Sequence, residues 1–304
     1  MELSGKPVHS GMVAIVGPPN AGKSTLMNYL LGQKISIVTP KPQTTRNRIM
    51  GVVNGDDYQV VFLDTPGLHR ARQPLNQEMV RIAMESLTGV DAVVYMIDVS
   101  LPLPETKRAE LGKEIEEQMQ EVESPVILVL NKVDLLDKDQ LLAMIDGYSK
   151  FYPFHAIFPI AALHGDGTNR LLKEIVSLLP MGPRYFPEDI PTDATERFLV
   201  TEMIREKVFL LTGQEIPYST AVQIESFKED EARGLITIHA AIVLERDSQK
   251  GIVIGKGGKK LKQIGTAARV DIEEMLGSRV LLKLWVKIRK NWSQDERFLR
   301  ELGF

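Results

Sequence analysis

A phosphate-binding motif near the N-terminus constrains the fold of this 304-residue chain more than any other feature. The octapeptide GPPNAGKS at residues 17–24 matches GxxxxGK[ST]. It follows the apolar run MVAIV at 12–16 and precedes a helix-length segment at 22–31, which is the context that the motif requires. Glycines let successive N–H groups point at phosphates, and the helix N-terminus adds its positive end. The sequence therefore predicts a phosphate loop, with a glycine-containing turn of a Rossmann-like domain as the alternative.

Each residue type in this loop suits one task. We expect Lys23 to reach the β- and γ-phosphates and act in catalysis, and Ser24 to bind Mg²⁺. The predicted nucleotide contacts in this loop are Gly17, Asn20, Ala21, Gly22, Lys23, Ser24 and Thr25.

The alternation of short apolar runs with helix-length segments predicts the fold class. The apolar runs, typical of buried parallel strands, are 12–16, 60–63, 92–97, 126–130 and, more weakly, 157–160. The helical segments between them are 22–31, 75–88, 105–121, 138–149 and 168–179. This order predicts a doubly wound α/β domain with a mostly parallel sheet, to which residues 48–53 add an antiparallel edge strand.

Two further motifs follow apolar runs of this predicted sheet. In DTPG at 64–67, the Asp64 carboxylate would sit near Mg²⁺ and the Gly67 N–H would touch the γ-phosphate during catalysis. A common Asp-x-Pro-Gly turn is the alternative. In NKVD at 131–134, Asp134 can accept both the N1 and N2 hydrogens of guanine, whereas adenine would leave the carboxylate unpaired.

The remaining residues of NKVD would support the base. We expect Asn131 to tie this loop to the phosphate loop and the Lys132 stem to cover the base. The alternative is a chance surface tetrapeptide. The three motifs in this order favour a GTPase and disfavour an ATPase.

The segment TPKPQTTR at 39–46 is polar, contains prolines and lacks helical or strand periodicity. It is typical of a loop that becomes ordered when a γ-phosphate is present. We expect Thr45, with Thr44 as second choice, to complete the Mg²⁺ ligands and serve catalysis. An ordinary loop with two threonines is the alternative.

The residue after DTPG is Leu68, which cannot orient water as a glutamine can. Intrinsic hydrolysis should therefore be slow or use another device. Asn20 is a candidate for holding K⁺ beside the phosphates, and the alternative is that Asn20 only shapes the turn.

The pattern changes after a proline-rich stretch. We assign 1–182 to the GTP-binding domain, 183–192 to a linker and 193–304 to a second domain. The second domain is α+β: the predicted order is a helix at 195–211, strands at 220–227 and 235–244, a helix at 258–276 and a strand at 279–288. Ser293 and Glu296 predict a capping box for a short final helix.

A G-x-x-G tetrad at 255–258 marks the centre of the second domain. Net charge is only −3, but residues 246–269 hold seven basic residues and one acid. A glycine-rich turn before a basic helix can lie against the backbone of about four single-stranded nucleotides, because glycine has no side chain to block close approach. The predicted RNA contacts are Ile252, Ile254, Gly255, Lys256, Gly257, Gly258, Lys259, Lys260 and Lys262, with Ile264 as a further groove residue. The alternative is a solvated lysine helix after a tight turn.

Composition excludes some classes of site. The chain has no cysteine, which excludes disulfides and thiolate metal sites. No apolar stretch is long enough to span a bilayer.

Taken together, the motifs resemble those of the Era family of GTPases. The similarity is carried by GPPNAGKST at 17–25, QTTRNRI at 43–49, DTPGLH at 64–69, NKVD at 131–134 and VIGKGG at 253–258, together with the tail from 284 to 297. It covers nearly the whole chain.

The resemblance implies a GTPase with a type II KH domain that binds the 3′ end of 16S ribosomal RNA and assists small-subunit maturation. It implies GTP, GDP and Mg²⁺ as ligands and the small ribosomal subunit as a partner, without a DNA partner. It also implies a cytoplasmic protein with some peripheral membrane association. A nucleotide-gated tether that recruits proteins or membrane is the alternative function.

One position departs from the family pattern. Where the family usually has Ser-Ala, this chain has Ala161 and Ala162. We expect the Ala162 N–H to meet guanine O6 as in the family. The hydroxyl missing at Ala161 should weaken nucleotide affinity by about 1 kcal/mol.

Overall fold

The computed structural model describes residues 7–69, 71, 74–100, 103–213 and 216–302. These residues form two compact units. The first comprises the described parts of Met1–Ser36, Thr45–Arg70 and Met79–Asp193. The second comprises those of Ile37–Thr44, Ala71–Glu78 and Ala194–Phe304. A separate cluster of buried apolar side chains fills each unit.

The first unit is built on a sheet that, among the described residues, has seven strands. They are β1 (Val8–Val16), β2 (Ile49–Asn54), β3 (Tyr58–Asp64), β4 (Ala92–Asp98), β5 (Val126–Asn131), β6 (Ala156–Ile160) and β7 (Met181–Gly182). The order is β2-β3-β1-β4-β5-β6, and β7 pairs with β1. All neighbours are parallel except β2 against β3 and β7 against β1. The predicted doubly wound, mostly parallel sheet and its antiparallel edge strand are confirmed.

Helices follow these strands as the sequence predicts. They are α1 (Lys23–Leu31), α2 (Pro74–Glu85), α3 (Glu105–Met119), α4 (Lys138–Tyr148) and α5 (Thr168–Leu178). Strands β1, β4 and β5 are almost entirely buried because apolar helix faces cover both sides of a parallel sheet. Their polar residues therefore lie at the strand ends, where the motifs are found.

The register of the parallel strands brings those ends to one edge of the sheet. Asp64 at the end of β3 lies opposite Ile15 of β1, two residues before the phosphate loop. Asp98 at the end of β4 lies opposite Asn131 at the end of β5. Ligands of open α/β sheets bind outside the carboxyl ends of strands.

The predicted linker at 183–192 lies against the edge of the first unit and contains a turn closed by the hydrogen bond from Ile190 N–H to the Pro187 carbonyl. The Arg184 guanidinium donates to the carbonyls of Gly55 (2.8 Å) and Tyr58 (2.9 Å). Val52 N–H donates to the Pro191 carbonyl at 2.8 Å. The linker is thus held to this edge by the Arg184 side chain and by the Pro191 carbonyl.

The second unit has the predicted α+β order. Its elements are α6 (Glu196–Leu211), β8 (Thr220–Asp230), β9 (Leu235–Leu244), α7 (Asp247–Ile254), α8 (Lys259–Leu276), β10 (Arg279–Ile288) and α9 (Glu296–Glu301). The sheet order is β10-β9-β8, with β9 parallel to β10 and antiparallel to β8. This is the arrangement implied for a type II KH domain.

In this unit one helix was not predicted and one local expectation is wrong. The helix α7 was not predicted, because Gly251 and the branched residues at 252–254 lower the helix propensity of this short segment. Ser293 does not cap the last helix. It donates to the Glu245 carboxylate, and the Asp295 side chain accepts the N–H groups of Arg297 and Phe298 instead.

Residues 37–44 group with the second unit and are held by buried charges of α6. Arg205, paired with Glu202, donates to the Thr44 carbonyl at 2.6 Å. The Glu206 carboxylate accepts the Val38 N–H at 3.0 Å. This part of the predicted nucleotide-dependent loop therefore has defined hydrogen-bond partners.

Within the described ranges, no helix has both the length and the apolar character needed to cross a lipid bilayer.

Candidate functional site

The phosphate loop joins β1 to α1 and is closed by Asn131. Gly22 has φ +98°, and a Cβ at this position would lie 2.2 Å from the Asn131 amide nitrogen, so only glycine fits. Asn131 Nδ2 donates to the Ala21 carbonyl at 2.8 Å. The predicted tie between the NKVD segment at 131–134, here called the guanine loop, and the phosphate loop is therefore present as a direct hydrogen bond.

The Lys23 ammonium lies inside this loop. Its Nζ donates to the carbonyls of Gly17 and Pro18, both at 3.0 Å. Burial lowers the pKa of Lys23 to about 8, and the nearby Asp64 carboxylate opposes the shift. Nucleotide phosphates would add negative charge beside this ammonium and favour its protonated form.

Three oxygen-bearing side chains predicted to bind Mg²⁺ converge at the start of α1. Ser24 Oγ lies 2.6 Å from Asp64 Oδ2 and 2.9 Å from Thr45 Oγ1. Carboxylate and hydroxyl oxygens are ligands that suit Mg²⁺ alongside phosphate oxygens. Burial raises the pKa of the Asp64 carboxyl, while the Ser24 hydrogen bond and the Lys23 charge lower it. The donor set fits a divalent cation.

The second-choice ligand, Thr44, uses its hydroxyl elsewhere. Thr44 Oγ1 donates to the Lys41 carbonyl at 2.7 Å and lies 2.6 Å from Thr39 Oγ1. Thr45, by contrast, places its hydroxyl against Ser24.

The DTPG turn lies against the phosphate loop. Gly67 approaches so closely that a Cβ there would be 2.7 Å from the Pro19 nitrogen. Leu68 N–H donates to the Gly17 carbonyl at 3.0 Å, and its side chain packs in the apolar core. Leu68 thus holds the turn and has no polar group to offer to water. The next residue, His69, which sequence reasoning passed over, has Nδ1 2.7 Å from the Gly67 carbonyl.

The guanine loop follows β5. Lys132 has a left-handed backbone (φ +68°), after which Val133–Leu135 form one turn of 3₁₀ helix that presents the exposed Asp134. A carboxylate at an open edge can accept two N–H groups from one purine face.

The loop after β6 departs from one expectation. The Ala162 N–H, expected to meet guanine O6, donates to Asn131 Oδ1 at 2.9 Å. Ala161 is buried, and its carbonyl accepts the N–H groups of His164 and Gly165. Backbone hydrogen bonds therefore brace the loop in which the family hydroxyl is missing.

The other predicted nucleotide contacts occupy the rim of the loop. Asn20 is exposed with φ +64°, in the middle of the phosphate loop. Thr25 is half-buried in the first turn of α1.

The structure adds polar residues that sequence reasoning missed. Asp98 Oδ2 lies 2.5 Å from Lys132 Nζ, and its Oδ1 accepts from Ser100. His164 Nε2 lies 3.7 Å from Asp134 Oδ2. Asp98 ends an apolar strand as Asp64 and Asn131 do, and that shared position is the signal that could have identified it.

A second candidate site is a groove of about 340 Å³ beside the G-x-x-G turn. Its walls come from one face of α8 and from β10. The lining residues are Gly258, Leu261, Lys262, Gly265, Thr266, Arg269, Leu282 and Leu284. Only Gly258 and Lys262 were predicted, because the other lining residues are spread along a helix and a strand.

The structure distributes the remaining predicted RNA contacts around this groove. Lys256 and Gly257 are exposed in the turn, Gly255 and Lys260 are half-buried, and Lys259 lines a neighbouring apolar groove of about 640 Å³. Ile252 is exposed on α7 and Ile254 is half-buried at its end. Ile264, expected in the groove, is fully buried in the core because it lies on the inner face of α8.

Comparison with known proteins decides the family. The chain is 51% identical to GTPase Era of Geobacter metallireducens over 302 residues, which are 99% of this chain and 100% of that protein. The chain belongs to the Era family of GTPases. It is also 48% identical to the Era of Lacticaseibacillus paracasei over 97% of both chains.

Family models and solved Era structures agree with this assignment. Residues 12–132 match the 50S ribosome-binding GTPase family and residues 215–293 match the KH domain. A single-residue variant of Aquifex aeolicus Era bound to GDP·AlF4⁻ is similar with a TM-score of 0.91 and 40% identity, over 97% of this chain and 99% of that one. Era in complex with MgGDPNP and nucleotides 1506–1542 of 16S ribosomal RNA has the same values. The chain is thus an Era-family GTPase with a C-terminal KH domain.

Proposed function

We propose that this Era-family GTPase binds single-stranded RNA at the 3′ end of 16S ribosomal RNA in the cytoplasm. We further propose that it assists maturation of the small ribosomal subunit and that the bound guanine nucleotide controls RNA access. The proposal rests on the groove of about 340 Å³ beside the G-x-x-G turn. The same chain also contains the three predicted nucleotide-binding loops. A related Era was solved with both kinds of ligand.

Nucleotide binding uses the geometry of the first unit. Lys23 and the backbone N–H groups of the phosphate loop would hold the phosphates. Asp134 would accept the two guanine hydrogens, and the Lys132 stem would cover the base. Ser24, Thr45 and Asp64 would hold Mg²⁺, which neutralises charge that develops on the phosphates when bound.

Hydrolysis needs a substitute for a water-orienting glutamine, because the residue after DTPG is Leu68. We assign this task to K⁺ held at Asn20, whose side chain is exposed in the phosphate loop. Hydrolysis should then be faster in KCl than in NaCl at equal ionic strength, and Asn20→Ala should remove the difference. Equal rates for the unaltered protein in the two salts would contradict the assignment.

RNA binding uses the groove and the turn of the second unit. The exposed Gly257 lets a sugar–phosphate backbone approach, and Lys262 and Arg269 place cations at the groove. Leu261, Leu282 and Leu284 offer an apolar surface to splayed bases. This combination suits single-stranded RNA better than duplex RNA, whose bases are not splayed.

The bound nucleotide would influence the second unit through the peptide bond between Thr44 and Thr45. Thr45, which touches Ser24, belongs to the first unit, and Thr44, whose carbonyl is held by Arg205, belongs to the second. A γ-phosphate that draws Thr45 towards Mg²⁺ would therefore pull on a segment anchored to α6.

A salt series with RNA tests the RNA part of the proposal. A labelled oligonucleotide with the 3′-terminal 16S sequence should bind, and affinity should fall steeply as salt rises because phosphates release counterions. A scrambled oligonucleotide of equal length is the control for sequence. Binding that is absent, or insensitive to salt, would contradict a phosphate-gripping role and favour the tether alternative.

A further inference from the structure

We propose that Asp98 is a positioning residue for the guanine base and acts through Lys132. The inference rests on the assignment of Lys132 to the base made above, and it adds a residue that lies in none of the nucleotide motifs. Asp98 ends β4, opposite Asn131 at the end of β5. It therefore stands beside the residue that precedes Lys132.

Lys132 alone cannot present a defined surface. Its side chain has four rotatable methylene groups and loses this freedom when it is held against a base. Its backbone is left-handed, which non-glycine residues seldom adopt, so the direction of its Cα–Cβ bond is fixed. What remains to be fixed is the far end of the side chain.

Asp98 fixes that end. Its Oδ2 lies 2.5 Å from Lys132 Nζ, with the two side chains 26% and 36% exposed. A stem whose Cα and Nζ are both held presents its methylene groups as a flat apolar strip. A base then binds without ordering the stem, and this preorganisation favours slow dissociation.

The carboxylate is itself fixed by its neighbours. Asp98 Oδ1 accepts the Ser100 N–H at 2.9 Å and the Ser100 hydroxyl at 2.6 Å. Only Oδ2 is left for Lys132. The arrangement is thus a chain of three side chains, from Ser100 through Asp98 to Lys132, built where two parallel strands end.

Dissociation of fluorescent GDP from the full-length protein tests this chain. Asp98→Asn keeps an oxygen for Ser100 but removes the negative charge. We expect GDP to dissociate about fivefold faster, which is the size of effect expected when a partly exposed ion pair is lost. Ser100→Ala should give about a twofold increase, since the carboxylate keeps its charge but loses a constraint. The matched control is Asp146→Asn, which removes the exposed ion pair between Asp146 of α4 and Lys150 and should leave the rate unchanged.

A double-mutant cycle separates positioning from general damage. In a Lys132→Met background, which keeps an apolar stem, Asp98→Asn should change the rate by less than about 1.5-fold. An Asp98→Asn effect of equal size in both backgrounds, or no effect in the unaltered background, would overturn the inference. Should Asp98→Asn fail to fold, Ser100→Ala decides, and an unchanged rate in that variant is the contradicting result.

A parallel Asp134→Ala measurement distinguishes this inference from the assignment on which it rests. Loss of GDP affinity in Asp134→Ala together with an unchanged rate in Asp98→Asn rejects the role of Asp98 alone. GDP affinity that survives Asp134→Ala rejects the guanine site itself.

Discussion

The candidate nucleotide site and the proposed RNA groove are built from different kinds of structure. The nucleotide site is made of loops at strand ends, where Lys23, Asp64 and Asp134 each offer one charged group. The groove is made of a helix face and a strand, and its lining mixes Lys262 and Arg269 with apolar side chains. Binding energy should therefore be concentrated in a few atoms of the nucleotide site and spread over many in the groove.

The largest expected effect is at Asp134. Asp134→Asn replaces an acceptor with a donor opposite the guanine N–H groups, and a mismatch of about 3 kcal/mol predicts GDP binding weakened about 100-fold. The measurement is titration of labelled GDP. Because an amide can pair with a carbonyl at C2, xanthosine diphosphate should bind the variant better than GDP does. A variant that still prefers GDP would show that guanine binding does not depend on this one carboxylate, so that binding energy is not concentrated in a few atoms of the nucleotide site.

Next in size is Gly257→Asp. A Cβ at Gly257 meets no atom within 4 Å, so the fold has room for the side chain, and aspartate tolerates the left-handed backbone better than most residues. A carboxylate facing phosphates should lower RNA affinity more than about tenfold, while GDP affinity is retained. Filter binding with the 16S oligonucleotide checks this. RNA affinity equal to that of the unaltered protein would place the RNA elsewhere.

Smaller effects should follow from single groove residues. Arg269→Ala removes one exposed cation and should weaken RNA binding about threefold to tenfold and reduce its salt slope by about one. Ile264→Val, in the core beneath the groove, should lower the free energy of unfolding by about 1 kcal/mol with RNA affinity unchanged. If Ile264→Val lowered RNA affinity more than Arg269→Ala does, RNA binding would not depend on the groove lining as the structure predicts.

An effect of similar size, but a gain of affinity, is expected at Ala161. Ala161→Ser restores the family hydroxyl and should tighten GDP binding by about 1 kcal/mol, or about fivefold. Isothermal titration with GDP measures this, with Ala162→Ser as the matched control. Unchanged affinity would show that the backbone hydrogen bonds of this loop already brace it fully.

The same contrast explains what could be predicted from the sequence. Loop chemistry depends on contiguous residues, so GPPNAGKS, DTPG and NKVD identified the residues that the structure brings together. Groove chemistry depends on which face of a helix is turned outward. Ile264 and Leu261 are three residues apart, yet one is buried in the core and the other lines the groove. Tertiary packing, which local sequence does not specify, made that choice.

Short-range signals also failed where two solutions competed. Ser293 and Asp295 are both good N-cap residues, and the structure uses Asp295 because Ser293 bonds to Glu245 from a distant part of the chain. Asp98 was passed over because a single acid after an apolar strand is ambiguous until Lys132 is seen beside it. Long-range partners decided each case.

The control of RNA binding by the bound nucleotide is best tested by the RNA affinity in two nucleotide states. Fluorescence anisotropy of the 16S oligonucleotide is measured with the unaltered protein saturated with GDP or with a non-hydrolysable GTP analogue, at one salt concentration and with Mg²⁺ present. We expect different dissociation constants for the two states, and a smaller difference in Arg205→Ala, which releases the Thr44 carbonyl. Equal dissociation constants for the unaltered protein would contradict control by the nucleotide.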